Sequence, residues 1–172
     1  MGFTMTTNLV TIAQISSIPR RFDQTHYLFT IGYEGLSISS FIDKLLANDI
    51  RVLIDVRNNP LSRKPGFSKT AFRDHLEGAG IIYQHIPELG VPSALRKNLA
   101  TKDSYQILFD YYEKEILASN LNYVEKIKTI ITQFSRVALT CFEADYHTCH
   151  RHKITEYLSQ EPTFMAEIVH LN

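Results

Sequence analysis

The sequence has few cysteines, no net charge and no long apolar segment. Its 172 residues contain only two cysteines, Cys141 and Cys149, too few for the disulfide scaffold of a small secreted domain. No apolar run approaches the ~20 residues that a membrane-spanning helix needs. The arginines near the N-terminus follow the apolar residues, whereas the basic residues of a signal peptide precede them. We therefore expect a cytoplasmic protein with reduced thiols and no membrane partner.

An excess of charge of either sign is also absent, since 18 Lys and Arg residues balance 18 Asp and Glu residues. This balance argues against a protein that coats nucleic acids or membranes by bulk electrostatic attraction. The distribution is nevertheless uneven, because residues 51–73 contain six basic side chains and a single acidic one, Asp55. This basic segment predicts a local site for an anion.

Apolar runs alternate with amphipathic segments from Tyr27 onwards. The runs predict five strands, at residues 27–31, 52–56, 81–86, 137–141 and 168–171. Helical spacing between them predicts helices, and Ser37 and Ser68 are the expected N-caps of the first two. We therefore expect an α/β fold, a three-layer, Rossmann-like domain with a mostly parallel sheet of about five strands and helices on both faces.

The chain divides at about residue 26. Residues 1–26 are rich in Thr, Ser, Asn and Gln and show weak periodicity, so we interpret them as an N-terminal extension without an assigned function. Residues 27–172 form one predicted α/β domain. Patterns of this kind fix neither the order of the strands nor the oligomeric state.

Polar and charged side chains follow four of the predicted strands. Ligands of open parallel sheets bind beyond the carboxyl ends of the strands, so we expect these groups to share one edge. The candidates for catalysis are Glu34, Cys141, Glu143 and Cys149. The candidates for ligand binding are Gly32, Tyr33, Asp55, Arg57, Arg63, Glu88, His150 and Arg151.

The arginines among these candidates predict an anion-binding pocket. Guanidinium groups suit phosphate and carboxylate groups, and the backbone N–H groups of nearby helix N-termini add to the attraction. We expect Arg57, Arg63 and Arg151 to hold the anion and Tyr33 to stack on a planar part of the ligand. The sequence has neither a G-x-G-x-x-G fingerprint nor a P-loop lysine, so it indicates no dinucleotide or Walker-type cofactor.

Three interpretations of Cys141, Glu143, Cys149 and His150 remain open. Either cysteine, near arginines or a helix N-terminus, would have a lowered pKa and would act as a nucleophile. Alternatively, the four residues would bind zinc. The eight-residue separation of the cysteines does not match the common C-x₂₋₄-C spacing, so we disfavour zinc and predict no metal site. In the third interpretation the cysteines pack as small apolar residues or contact a ligand.

Five motifs, in this order, resemble the domain of unknown function 488 family. They are TIGYEG at 30–35, LIDVR at 53–57, SRKPGFS at 62–68, PELG at 87–90, and CFE at 141–143 with CHR at 149–151. The resemblance covers about residues 27–171 and implies a compact α/β fold. Its motif residues, including the cysteine motif, map onto the catalytic and ligand-binding candidates named above. Because members of the family are mostly uncharacterised, the resemblance implies no substrate.

The leading prediction is a protein with a basic pocket at the carboxyl edge of its sheet, which binds a phosphorylated or carboxylated, nucleotide-like ligand. Whether the protein is an enzyme stays open. A transferase or hydrolase is favoured over an oxidoreductase because the dinucleotide fingerprint is missing. The alternatives are a non-catalytic nucleic-acid-binding module that uses residues 51–73 and a zinc-stabilised interaction domain.

Overall fold

The computed structural model describes residues 25–96, 99 and 101–171, so nearly all of the predicted extension over residues 1–26 lies outside the described residues. The described chain contains five strands, which are β1 (His26–Gly32), β2 (Val52–Asp55), β3 (Ile82–His85), β4 (Arg136–Cys141) and β5 (Ala166–Leu171). They form one sheet in the order β3-β2-β4-β1-β5, and every neighbouring pair is parallel. The expected parallel α/β sheet is confirmed.

Five α-helices lie between these strands in the described chain. They are α1 (Ile38–Ala47), α2 (Lys69–Gly78), α3 (Lys102–Tyr111), α4 (Leu121–Phe134) and α5 (Arg151–Gln160). Ser37 caps α1 as expected, because its hydroxyl accepts a hydrogen bond from the backbone N–H of Ser40. Ser68 is the N-cap residue of α2, although its side chain makes no capping hydrogen bond.

The helices cover both faces of the sheet and form two apolar cores. On one face, α1 and α2 bury Phe41 and Phe72 against Phe29 and Leu53 of the sheet. On the other face, α3, α4 and α5 pack against the opposite side chains of the same strands, with Leu139 among them. Strands that are covered on both faces are apolar at successive positions, which is why they are continuous apolar runs in the sequence.

The strand order brings three strand ends together at the centre of the sheet. Gly32 at the end of β1 is paired with Cys141 at the end of β4, and Asp55 at the end of β2 is paired with Thr140. The segments that follow β1, β2 and β4 therefore leave the sheet side by side, which is the position expected for a ligand site. Within the described residues, no helix has both the length and the apolar character needed to cross a membrane.

Candidate functional site

Two groups of side chains occupy the carboxyl edge of the sheet. The first lines a cavity of about 300 Å³, which we call the basic cavity. Its charged and aromatic lining residues are Tyr33, Arg57, Arg63, Lys64, Arg96 and Phe142. The second consists of Cys141, Cys149 and His150, which we call the thiol cluster. Tyr33 belongs to the core under α1 and α2, whereas His150 packs against Tyr112 of the opposite core.

A buried ion pair organises the turn after β2. Asp55 is the last residue of β2 and accepts two hydrogen bonds from the guanidinium group of Arg57, at 2.8 Å from Nε and 2.6 Å from Nη2. The hydroxyl of Tyr83 donates a third, at 2.7 Å. Nη1 of Arg57 donates to the hydroxyl of Tyr33 and to the backbone carbonyl of Phe67. These bonds tie β2, β3 and the turns after β1 and β2 together.

The environment stabilises the charged form of Arg57. Burial acts to lower the pKa of its guanidinium, but the hydrogen bonds and negative charge of Asp55 outweigh burial and raise that pKa. Burial, reinforced by the charge of Asp55, raises the pKa of Tyr83. Only 4% of Arg57 is exposed and its polar atoms already have partners. The residue therefore shapes the wall of the basic cavity, and the role of anion holder expected from the sequence does not fit its surroundings.

Three other cations of the basic cavity are better placed to meet a ligand. Arg63 is exposed and Arg96 is half-buried, and neither guanidinium has an ion-pair or hydrogen-bond partner among the described residues. The ammonium group of Lys64 donates one hydrogen bond to the backbone carbonyl of Tyr33, at 2.9 Å. Arg63 lines the basic cavity, and its role in holding an anion stays a prediction.

The aromatic ring exposed in the basic cavity is not the one expected from the sequence. Tyr33 is only 3% exposed, and one face of its ring stacks on Phe67 with the ring centroids 4.3 Å apart. Its hydroxyl is used by Arg57, so little of the ring remains for a ligand. Phe142 packs edge-on against Tyr33 and is 41% exposed in the wall of the basic cavity. The exposed ring is therefore that of Phe142.

The thiol cluster is almost completely shielded from solvent. Cys141 at the end of β4 is fully buried and Cys149 before α5 is 1% exposed. Their sulfur atoms lie 3.9 Å and 3.8 Å from Nδ1 of His150. Nε2 of His150 lies 3.1 Å from the backbone carbonyl of Val56, just beyond β2. The fold therefore brings together two cysteines that are eight residues apart, together with an imidazole.

The groups of the thiol cluster act on one another electrostatically. The hydrogen bond with Cys149 and the charge of His150 lower the pKa of the Cys141 thiol, although burial opposes this change. Burial and the neighbouring Cys141 raise the pKa of Cys149. Burial also raises the pKa of Glu143, whose carboxyl lies beside both thiols. Cys141 is thus the more acidic of the two thiols.

The loop after β4 (residues 142–150) is held by two more of the predicted site residues. Arg151 is completely buried and donates from Nη1 to the backbone carbonyl of Glu143 and from Nη2 to that of Ala144, at 2.7 Å and 3.1 Å. The carboxylate of Glu34 accepts a hydrogen bond from the backbone N–H of Ala144. The expected role of Arg151 in holding an anion conflicts with this burial, because its guanidinium faces the loop.

Glu88 is the predicted residue that the structure separates from both groups. Its carboxylate is exposed near Tyr123 of α4, and their hydrogen bond raises the pKa of the Tyr123 hydroxyl. Conversely, sequence patterns did not indicate Arg96 or Phe142. Arg96 lies in a 3₁₀ turn (Ser93–Arg96) within a segment of irregular pattern. Phe142 lies between Cys141 and Glu143, and only these two neighbours were chosen as candidates.

The arrangement allows two distinct kinds of chemistry. The basic cavity offers guanidinium and ammonium groups to an anion, and its lining includes no carboxylate, imidazole or thiol among the described residues. The thiol cluster offers two sulfur atoms and one imidazole nitrogen, which suit a soft or borderline metal ion or a thiol reaction. Its burial shields both thiols from a ligand in the cavity, so the nucleophile stays a prediction from the sequence.

Comparison with protein families gives a match over most of the chain. The family described as "Domain of unknown function DUF488" matches residues 37–158, which is well over half of the 172 residues. The matched range includes both groups of side chains apart from Tyr33, which follows β1. No curated protein and no solved structure matches the chain.

Proposed function

The chain belongs to the DUF488 family, and we propose that it binds a phosphorylated, nucleotide-like ligand in the basic cavity. The observation that carries the proposal is the convergence of Arg63, Lys64 and Arg96 on one cavity. Like charges brought together without acidic partners repel one another, so a bound anion would relieve an unfavourable arrangement.

The geometry of the donors favours phosphate. Arginine presents planar, fork-like pairs of N–H groups that match phosphate oxygens, whereas lysine contributes a compact charge. Arg63 and Arg96 come from different segments, after β2 and after β3, so an anion between them would be held from two directions.

The size of the basic cavity and its aromatic wall limit the ligand. At about 300 Å³ the volume lies at the lower end of the range for small-molecule sites, which suits a single nucleotide better than a dinucleotide. The half-exposed ring of Phe142 offers a surface on which a planar base can stack. The proposal is confined to binding, because the described lining supplies no group to act as a nucleophile or base.

The distribution of the basic segment favours this site over a nucleic-acid surface. Of the six cations in residues 51–73, Arg51 precedes β2 at the opposite edge of the sheet, and Arg57 is buried. Arg73 is paired with Asp74, at 2.7 Å. The segment therefore presents no continuous basic stripe of the kind that follows a phosphate backbone.

Calorimetric titration with nucleoside monophosphates, nucleoside diphosphates, sugar phosphates and inorganic phosphate tests the proposal. We expect a nucleoside phosphate to bind, and Arg63→Ala and Arg96→Ala each to weaken binding by tenfold or more, since a charge-assisted hydrogen bond contributes about 1.5–3 kcal/mol. Phe142→Leu should weaken the binding of nucleoside phosphates more than the binding of inorganic phosphate. Arg73→Ala is the matched control, because this exposed arginine is outside the cavity, and its affinity should equal that of the wild type.

Two results would contradict the proposal. One is the absence of binding by every member of the panel. The other is unchanged affinity in an Arg63→Ala, Arg96→Ala double variant. Binding of an oligonucleotide that weakens steeply with salt, and that is insensitive to both arginine variants, would favour the nucleic-acid alternative instead.

A further inference from the structure

The donor atoms of the thiol cluster have the spacing of metal ligands. The two sulfur atoms and Nδ1 of His150 all lie within 4.8 Å of one another, and the two S···N distances are 3.9 Å and 3.8 Å. A tetrahedral zinc ion with ordinary Zn–S and Zn–N bonds places a sulfur and a nitrogen ligand about 3.6 Å apart. Shifts of a few tenths of an ångström would therefore bring each S···N pair to this distance.

The imidazole of His150 is oriented as a ligand. The contact of Nε2 with the carbonyl oxygen of Val56 requires Nε2 to carry the proton, because a carbonyl oxygen only accepts hydrogen bonds. In the neutral ring, the lone pair of Nδ1 then faces the two sulfur atoms. A backbone carbonyl that accepts the second ring N–H is the usual outer partner of a metal-binding histidine.

Glu143 lies next to the thiol cluster but outside its group of three mutually close donors. Its carboxyl lies beside both thiols, and its Oε2 atom is buried without a hydrogen-bond partner among the described residues. An unpaired, buried carboxylate oxygen is costly, so a partner is expected at this position. A cation in the thiol cluster would supply that partner after a shift of the Glu143 side chain.

The charges of the region also balance around a divalent ion. Two thiolates and the Glu143 carboxylate carry three negative charges when the protons of the thiols pass to solvent on metal binding. Zinc and the fully buried guanidinium of Arg151, which holds the loop carbonyl of Glu143, supply three positive charges. A disulfide between the cysteines would use neither the imidazole nitrogen nor the carboxylate.

We propose that Cys141, Cys149 and His150 bind a Zn²⁺ ion, with Glu143 as the fourth ligand after a shift of its side chain. The eight-residue separation that disfavoured zinc at the level of sequence is no obstacle, because the loop after β4 returns Cys149 to the end of the strand. The ion fastens this loop to the turn after β2 through His150. Because the donors are buried, the site is structural, and it fixes Phe142 in the wall of the basic cavity.

Metal analysis of the wild-type protein, purified without chelator and after reconstitution with Zn²⁺, is the direct test. We expect about one tightly bound zinc ion per chain and a lower melting temperature after removal with a chelator. Reconstitution with Co²⁺ should produce the sulfur-to-cobalt absorption band and the intense visible bands of tetrahedral cobalt. This spectrum reports thiolate ligation in the wild type, so it does not depend on the folding of any variant.

Variants assign the ligands. Cys141→Ser, Cys149→Ser and His150→Ala should lose stoichiometric zinc, and Glu143→Gln should bind it more weakly. His147→Gln is the matched control, since this histidine lies in the same loop but is exposed and paired with Asp145, and its zinc content should be unchanged. Arg63→Ala should also keep its zinc, which separates this site from the basic cavity.

Failure to bind Zn²⁺ or Co²⁺ in the reconstituted wild type would overturn the proposal. A metal-free protein with an intact mass lower by two hydrogen atoms would also overturn it, because that mass identifies a Cys141–Cys149 disulfide. Full zinc content in the Cys141→Ser, Cys149→Ser double variant would place the metal elsewhere.

Discussion

Asp55 and Arg57 form a buried ion pair, and substitution of a single residue measures its contribution to stability. Both side chains are buried, at 0% and 4% exposure, and each depends on the other for compensation of its charge. Removal of one member of such a pair leaves the other charge unpaired in the protein interior. The pair therefore stabilises the turn after β2, from which the basic cavity is built.

Asp55→Asn should lower the free energy of unfolding by about 3–5 kcal/mol, because it leaves the guanidinium of Arg57 without its counter-charge. Urea unfolding monitored by circular dichroism measures the change. Asp74→Asn is the control, since Asp74 pairs with Arg73 on the surface and is 58% exposed. Asp74→Asn should lower the free energy of unfolding by less than about 1 kcal/mol. Equal costs for the two variants would show that the buried pair contributes little.

The sequence did not show which of the predicted arginines has a guanidinium group available to a ligand. Arg57, Arg63 and Arg151 were equivalent candidates for holding an anion, yet packing leaves only Arg63 available. A sequence pattern shows that an arginine follows a strand, but it does not show whether backbone carbonyls and a carboxylate already occupy its N–H groups. Arg96 reaches the cavity from a segment without periodicity, so no local pattern indicated it.

Among the elements, the loop after β4 links the two candidate sites. It carries Phe142 to the basic cavity and returns Cys149 to the end of the strand. Its backbone passes directly over β1, where a Cβ atom at Gly32 would overlap the carbonyl oxygen of Glu143. Glycine at this position therefore allows the close approach of loop and strand.

Gly32→Ala should destabilise the protein by about 1–3 kcal/mol, because the added methyl group forces the loop away from β1. The same urea titration measures the cost. Gly78→Ala at the end of α2 is the matched control, since a Cβ there meets nothing within 4 Å, and its effect should stay within about 1 kcal/mol of zero. Wild-type stability in Gly32→Ala would mean that the loop does not pack on β1 as described.

The elements themselves were largely predictable. Each of the five strands lies within two residues of its apolar run. Burial on both faces leaves a continuous signal in β1, β2 and β4, whereas the edge strands β3 and β5 contain no fully buried residue. The last helix, α5, begins at Arg151, and a 3₁₀ turn (Tyr146–Thr148) precedes it. The π-helical turn at Tyr112–Leu117 had no recognisable pattern, because such turns depend on the packing around them.

At the scale of the whole molecule, neutrality and a basic site coexist. The 18 positive and 18 negative side chains cancel in the sum, but the fold gathers Arg63, Lys64 and Arg96 at one edge of the sheet. Strand order produces this convergence, since it sets β2 beside β4 and brings the segments after β2 and β3 together. Strand order depends on contacts between distant parts of the chain, so the composition and the local pattern could not supply it.

A crystal structure of the protein grown with a saturating nucleoside monophosphate tests whether the basic cavity is a nucleotide site. We expect the phosphate within hydrogen-bonding distance of the guanidinium groups of Arg63 and Arg96, with the base against Phe142. A nucleotide bound at another surface, or a basic cavity that contains only solvent at saturating ligand, would contradict this expectation.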